Sequence, residues 1–393
     1  MRLPNRTQKS LATHTIVGLF RHLNPNYSHD CNQPARRMVY QTSNRIPTLD
    51  GWRGAAILMV LLAHLQRSYL HSYLFGTRWL DMGQHGVTVF FVLSGYLITT
   101  GLLTNDSISL KQFYVRRFFR IMPAALTYLA FLVTLTCFTE MKVIGNDLWR
   151  CLLSCRNYLP ETASNTCTEH FWSLSVEEQF YLVWPGMLVM FGRRYSAGVA
   201  ALAAVSIAAL RFFNWNYYAV DYRFLHTEAR ADALLVGCLL ALALKHASIQ
   251  EFFERHGKWL FLCCAAPLAW DIYHFDTLPP LHESALIALM VGSTVFNPTM
   301  APSRLLEVEH LRTTGLMSYS IYLWQGLFFR PNWGFCGPML LIAAVFVSYL
   351  FIEKHGIALG RYIAQKWRSP SLDPLQPAPV ASTALLITGP RDF

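Results

Sequence analysis

Charge is what this chain has least of. Only 14% of its 393 residues are Asp, Glu, Lys or Arg, while 53% are hydrophobic. That balance excludes a soluble globular domain of this length. Its nine cysteines include no Cys-x-x-Cys pair and no Cys/His cluster, so zinc is not expected and no metal site is assigned. Cys151, Cys155 and Cys167 share one inter-helix loop; Cys155 and Cys167 are one way to close a disulfide there, and three thiols leave the pairing open. No phosphate-cradling Gly-rich loop and no Gly-x-Ser-x-Gly elbow occurs, which removes P-loop and serine-hydrolase chemistry. The net charge of +10 is not gathered into a basic stripe interleaved with aromatics, so no nucleic-acid partner is expected. Residues 1–45 contain no apolar core followed by a small-residue cleavage site and do not read as a secretory leader. They read as a disordered cytoplasmic tail; 356–393 reads as a C-terminal cytoplasmic tail, which from Ser369 onward is rich in Pro, Ala, Ser and Thr and is expected to have no fixed structure.

What the chain does have is apolar blocks of bilayer-crossing length. They fall at 54–73, 84–103, 121–139, 171–191, 197–214, 231–245, 259–274, 281–297, 315–330 and 338–353. The expectation is an all-α integral membrane protein, a single bundle of about ten transmembrane helices over 46–355. With the N-terminus in the cytoplasm, most Lys and Arg residues fall on the inner side, including Lys111, Arg116, Arg117, Arg120, Arg193 and Arg194. That asymmetry obeys the positive-inside rule.

Within the blocks, a few polar residues need a reason. Arg53 and His64, in the run that starts Leu49-Asp50-Gly51-Trp52-Arg53-Gly54, are eleven residues apart. On a helix this puts them on nearly one face, roughly 16 Å apart along the axis. An imidazole near the bilayer midplane is a functional candidate, the plainer reading being a neutral histidine bonded to a neighbouring helix. His85, at the start of the second block, is placed to meet an acceptor substrate or water. Arg116, Arg117 and Arg120 crowd three guanidinium groups into two helical turns, which suits a phosphate-bearing ligand and equally a topology anchor. Farther on, Ser175 and Glu178 have capping-box spacing, which explains Glu178 as a helix start. Glu177 shares a face with Tyr181 and Trp184 and is expected to point into the bundle near the outer interface, where a carboxylate can stabilise a charged imidazole. Arg230 and Asp232, two apart, do not face each other on a helix.

Taken in order, these segments resemble the acyltransferase 3 family of multi-pass membrane O-acyltransferases, over about Pro47 to Glu353. The motifs that carry the resemblance are Leu49–Gly54 with His64, then Phe90-Phe91-Val92-Leu93-Ser94-Gly95-Tyr96-Leu97-Ile98, then Arg116-Arg117-Phe118-Phe119-Arg120-Ile121. Trp172-Ser173-Leu174-Ser175-Val176-Glu177-Glu178-Gln179-Phe180-Tyr181 and Ser318-Tyr319-Ser320-Ile321-Tyr322-Leu323-Trp324 complete it. The resemblance implies His64 as catalytic histidine with Arg53 as its partner, and Glu177 and Glu178 as supporting carboxylates. It implies a cytoplasmic acetyl-CoA or other acyl-CoA held by Arg116, Arg117 and Arg120. A glycan or lipid-linked sugar acceptor would contact His85, Trp172, Tyr181 and Arg230, in a bacterial inner membrane with lipid as the remaining partner. Two positions depart from the family pattern: Thr88 stands where many members have Asp, and Gln325 where the aromatic run usually ends in His. The family's extra C-terminal hydrolase-like domain is not expected in this chain. The rival reading is a transporter or receptor-like protein with His64 as a proton relay. Against it, no span is broken by a mid-membrane Gly/Pro pair and no two halves look related.

Overall fold

The computed structural model describes residues 46–66, 82–104, 109–139, 145–158, 167–218, 223–274, 281–330, 333–334 and 336–367. The expected tail 1–45 and the part of the 356–393 tail from Ser369 lie outside these residues, as does the stretch 67–73 of the first apolar block, while residues 356–366 of that tail are helical. Every regular element among the described residues is helical. In chain order the α-helices of six residues or more are α1 (Pro47–Leu65), α2 (Met82–Leu103), α3 (Leu110–Phe138), α4 (Gly145–Leu152), α5 (Phe171–Phe213), α6 (Thr227–Ala243), α7 (Ala247–His274), α8 (Leu281–Phe296), α9 (Ala301–Leu306), α10 (Glu309–Leu316), α11 (Ser318–Phe328), α12 (Cys336–Val347) and α13 (Lys354–Lys366). A π-helical turn, Ser348–Glu353, joins the last two.

Among the described residues, four stretches are long and apolar enough to cross a membrane: α2, α3, α5 and the run Cys336–Lys366. The pair Arg223–Ala243 and Ala247–Tyr273, bent by 104°, makes a fifth if it is one span. The bundle is apolar on its outside as well as its inside. Leu58, Leu182, Val183, Met190, Leu202 and Ile342 all present large side chains outward, as lipid-facing helices do. The fourth and fifth apolar blocks are two helical limbs of α5, separated at Gly192, whose φ of +65 is non-helical and turns the chain between them. A residue with a Cβ is strained in that conformation. The third span begins earlier than its apolar block, because α3 starts at Leu110, its N-cap Ser109 accepting from the backbone N–H of Gln112. The arginine segment is therefore helical and continuous with the span.

Helices α2 and α6 sit at the centre, buried on nearly all sides. Their contact depends on two glycines: a Cβ on Gly95 would strike the Leu234 carbonyl, and one on Gly237 the Val92 carbonyl. Small residues let backbones approach where no solvent-driven force holds helices together. Gly237→Ala is expected to lower the melting temperature in detergent by several degrees, since overpacking a tight crossing costs about 1–3 kcal/mol. An unchanged melting curve would mean that this crossing is loose. The glycines of the first motif do the same for α1. Gly51 lies against the Leu306 carbonyl, Gly54 against that of Leu311, and Gly315 against that of Asp50. Trp52 Nε1 donates to Thr294 Oγ1 at 2.9 Å and Thr48 Oγ1 to Glu307 Oε1 at 2.8 Å. The motif thus fixes the height and rotation of α1, and with them the direction of Arg53 and His64.

Candidate active site

Arg53 and His64 occupy the second turn and the last turn of α1, both half-buried. Arg53 does not stand alone at the mouth of the helix. It lies within electrostatic range of Arg120 on α3, which also feels Arg117, Glu353 and Tyr181. The three sequence-predicted arginines divide their work. Arg116 turns outward and bonds the Gln112 carbonyl and side chain at 3.1 and 3.2 Å. The Arg117 guanidinium lies 4.6 Å from the centre of the Tyr181 ring, a cation–π contact. Arg120 reaches furthest in. With residues of α2 and with Ile357 and Arg361 of α13, the three arginines line a cavity of 280 Å³.

The two adjacent carboxylates of α5 sit beside this group. Glu177 accepts from Ser94 Oγ at 3.0 Å and from Tyr181 OH at 2.6 Å, tying α5 to α2. Its environment is the arginine side of the bundle, through Tyr181 and Arg117, so the expectations of an outer-interface Glu177 and of inner-side arginines do not hold together. Glu178 is nearest in charge to Arg117 and Glu177, and its Oε1 is buried with no hydrogen-bond partner. The capping-box reading of Ser175 and Glu178 is also overturned. Backbone N–H groups of Phe171 and Trp172 already bond Thr168 and Glu169, and the helix begins at Phe171. Ser175 lies one turn inside it, donating to the Phe171 carbonyl at 2.9 Å and accepting from the Arg156 N–H at 3.1 Å. Packing of the preceding loop starts the helix one turn early, so Glu178 has no capping role.

Tyr319 and His170 escaped the sequence reading, whereas Glu353, at the end of the last apolar block, was expected to pair with inner arginines and lies within range of Arg120. Tyr319 donates to the Ile121 carbonyl at 2.8 Å and lies within range of Glu353, Glu178, Glu177 and Arg120. Glu353 accepts from Ser320 Oγ at 2.8 Å; the wider π turn that ends in Glu353 turns this carboxylate inward, a common use of such turns. The Ser318-Tyr319-Ser320 run is therefore part of the polar interior and more than an aromatic belt. At the other end of α1, His64 lies within electrostatic range of His170. That second imidazole is 95% buried among Tyr128, Phe171 and Tyr322. Gly326 leaves it room, because a Cβ there would strike the ring. Nothing in the local pattern around His170 marks it; only the fold brings it to His64.

The four residues expected to contact the acceptor do not form one group. Tyr181 belongs with Glu177. His85 Nδ1 meets Glu283 Oε1 at 2.9 Å with both side chains buried. Arg230 lies over Trp172 and Phe91, 5.5 and 5.8 Å from their ring centres, and its Nη2 donates to Thr88 Oγ1 at 3.3 Å. The Thr88 departure thus falls opposite a buried arginine. Asp232 turns away from Arg230 and pairs with Arg211 at 2.8 Å. The Gln325 departure is fully buried, and neither of its side-chain amide atoms has a hydrogen-bond partner. Cys155 and Cys167 are not joined in a disulfide; the first is exposed and the second buried.

An apolar-walled helical bundle that holds an arginine-lined cavity beside buried carboxylates, with a histidine farther along the same helix as one arginine, defines a membrane protein with a built polar interior. Sequence comparison supplies the rest: the chain belongs to the acyltransferase 3 family, whose Acyltransferase domain model matches residues 46–352. It is similar to the peptidoglycan O-acetyltransferase of Listeria monocytogenes, at 28% identity over 74% of this chain and 50% of that protein. It is also similar to a putative peptidoglycan O-acetyltransferase of Bacillus subtilis, at 29% identity over 73% of this chain and 49% of that protein. A putative O-acetyltransferase of Staphylococcus aureus is 28% identical over 73% of this chain and 51% of its own length. The chain spans about half the length of these relatives. No solved structure matches it.

Proposed function

We propose that this chain is a membrane O-acetyltransferase that moves an acetyl group from cytoplasmic acetyl-CoA to a hydroxyl of a cell-surface glycan. In this reading the bundle crosses a bacterial inner membrane ten times with its N-terminus inside, and the cavity of α3 opens to the cytoplasm. The observation that carries the reading is the cavity itself. Arg116, Arg117 and Arg120 line it with no carboxylate among its described lining residues, which suits a polyphosphate ligand. Arg53 lies within range of its deepest arginine, and α1 leads from Arg53 to His64.

The chemistry assigned to the site is acyl transfer through a positioned imidazole. The phosphates of the donor rest on the arginines and its arm runs inward along α1, bringing the thioester to His64. As general base, His64 takes the proton of the acceptor hydroxyl while the oxygen attacks the thioester carbonyl; the C–S bond then breaks and the proton passes to the leaving thiolate. As nucleophile, the same imidazole attacks the thioester carbonyl, the C–S bond breaks and the CoA thiolate takes the imidazole proton; the acceptor hydroxyl then takes the acetyl group from nitrogen and returns its proton to the freed imidazole. Glu177 and Glu178 supply negative charge that favours the imidazolium. The names of the relatives make peptidoglycan the first acceptor to test.

Two measurements test this function. Purified chain in nanodiscs, given acetyl-labelled acetyl-CoA, is expected to release CoA slowly and to transfer label to an added glycan. Cells lacking the chain are expected to lose ester-linked acetate from their surface glycan. A glycan with unchanged acetate and a donor that is never cleaved would reject the proposal. The arginines have their own prediction. Changing Arg116, Arg117 and Arg120 together to Gln is expected to weaken acetyl-CoA binding by about 100-fold or more and to flatten its salt dependence. Topology reporters on both flanking loops should not move. Unchanged affinity with an inverted span would make the cluster an anchor only.

A further inference from the structure

The cavity has a wall that lies beyond the family match. That match ends at residue 352, and α13 begins at Lys354. Helix α13 packs on the arginine segment of α3 through Gly356, whose Cβ would run into the Phe119 carbonyl, and Gly360, whose Cβ would stand 2.7 Å from that of Phe119. Ala364 continues this stripe and is buried. The close approach sets the next face of the helix, Ile357 and Arg361, into the cavity lining beside Arg116, Arg117 and Arg120.

We propose that Arg361 is a fourth phosphate-binding guanidinium of the donor site, and that it holds the phosphate farthest from the thioester. This rests on the acetyl-CoA reading above. Depth supplies the order. Arg120 is the innermost cation, within range of Arg53; Arg117 is half-buried against Tyr181; Arg116 and Arg361 are exposed at the rim. A donor whose thioester points inward presents its diphosphate at mid-depth and its ribose phosphomonoester at the rim. Of the two rim arginines, Arg116 is already bonded to Gln112 through Nε and Nη2. Arg361 makes no such bond to the described residues and is the cation left to meet the outermost phosphate. Phe113 and Ile357, on the same lining, give the adjoining base an apolar surface.

The test pairs a residue change with a ligand change. Full-length chain in neutral phosphatidylcholine nanodiscs is titrated with acetyl-CoA and with acetyl-dephospho-CoA, which lacks only the ribose phosphomonoester. Wild type, Arg361→Gln, Arg361→Lys and the triple Arg116/Arg117/Arg120→Gln variant are compared. Arg361→Gln is expected to weaken acetyl-CoA about tenfold, the size of one lost charge-assisted contact at an exposed site, and to leave acetyl-dephospho-CoA unchanged. Arg361→Lys should recover part of the loss. If Arg361→Gln weakens both donors alike, or neither, while the triple variant weakens both, Arg361 is not on that phosphate and the donor site stands. If the triple variant also binds normally, the donor site itself is wrong. If Arg361→Gln matters only in nanodiscs containing anionic lipid, the guanidinium serves a lipid headgroup and the proposal is overturned.

Discussion

His64→Ala is expected to abolish acetyl transfer while the protein still inserts and accumulates. His64 lies in the last turn of α1 and is half-buried, so its removal leaves the Trp52–Thr294 and Thr48–Glu307 anchors of that helix intact. Loss of a general base costs roughly 10²–10⁴-fold in rate, and loss of a nucleophile at least as much. The rate should fall in kcat, with acetyl-CoA affinity near wild type, because the arginines proposed to bind the donor lie on α3 near Arg53, at the other end of α1 from His64. Transfer above a few per cent of wild type in a correctly inserted protein would remove His64 from the chemistry. His170→Ala makes an informative companion, since its imidazole lies within range of His64.

The second large effect separates Glu177 from Glu178, and the structure reverses what spacing suggests. Glu177 accepts two hydrogen bonds, one from Ser94 that joins α2 to α5 and one from Tyr181 a turn along its own helix. Glu177→Gln keeps one acceptor and loses the charge that strengthens both bonds, at a cost of about 1–3 kcal/mol. Melting temperature and activity are both expected to drop. Glu178 has a buried Oε1 with no hydrogen-bond partner, and a half-satisfied buried carboxylate costs stability. Glu178→Gln is therefore expected to melt at the wild-type temperature or higher while activity falls tenfold or more. Both variants are to be assayed for acetyl transfer and melting in one detergent. Full activity in Glu178→Gln would reduce that carboxylate to a bystander. A stable, inactive Glu177→Gln would return to Glu177 the role that helical spacing first suggested.

Much of the site was legible because helical periodicity is local. The eleven-residue step from Arg53 to His64, the i to i+4 step from Glu177 to Tyr181, and the crowding of Arg116, Arg117 and Arg120 are all properties of a single helix. The structure keeps each of them on one continuous helix. The failures share one cause as well. The capping box at Ser175 is a local pattern that lost to packing, because Ser175 Oγ was claimed by the Arg156 N–H from a loop nineteen residues earlier. His85 was placed at the outer mouth, facing acceptor or water, because Glu283 lies 198 residues away in sequence.

The sequence by itself determined that this is an apolar helical membrane protein of the acyltransferase 3 family, which polar residues stand out within its apolar blocks, and which face of each helix they share. Those properties follow from composition, from block length and from the 3.6-residue repeat. Only the tertiary structure decided which faces meet. It set Arg120 near Arg53, Glu177 on Ser94, His64 near His170, and α13 with Arg361 against the arginine turn. These pairings depend on where glycines let backbones approach and on which buried polar groups find partners. Both are properties of two segments at once, and no periodicity within either segment encodes them.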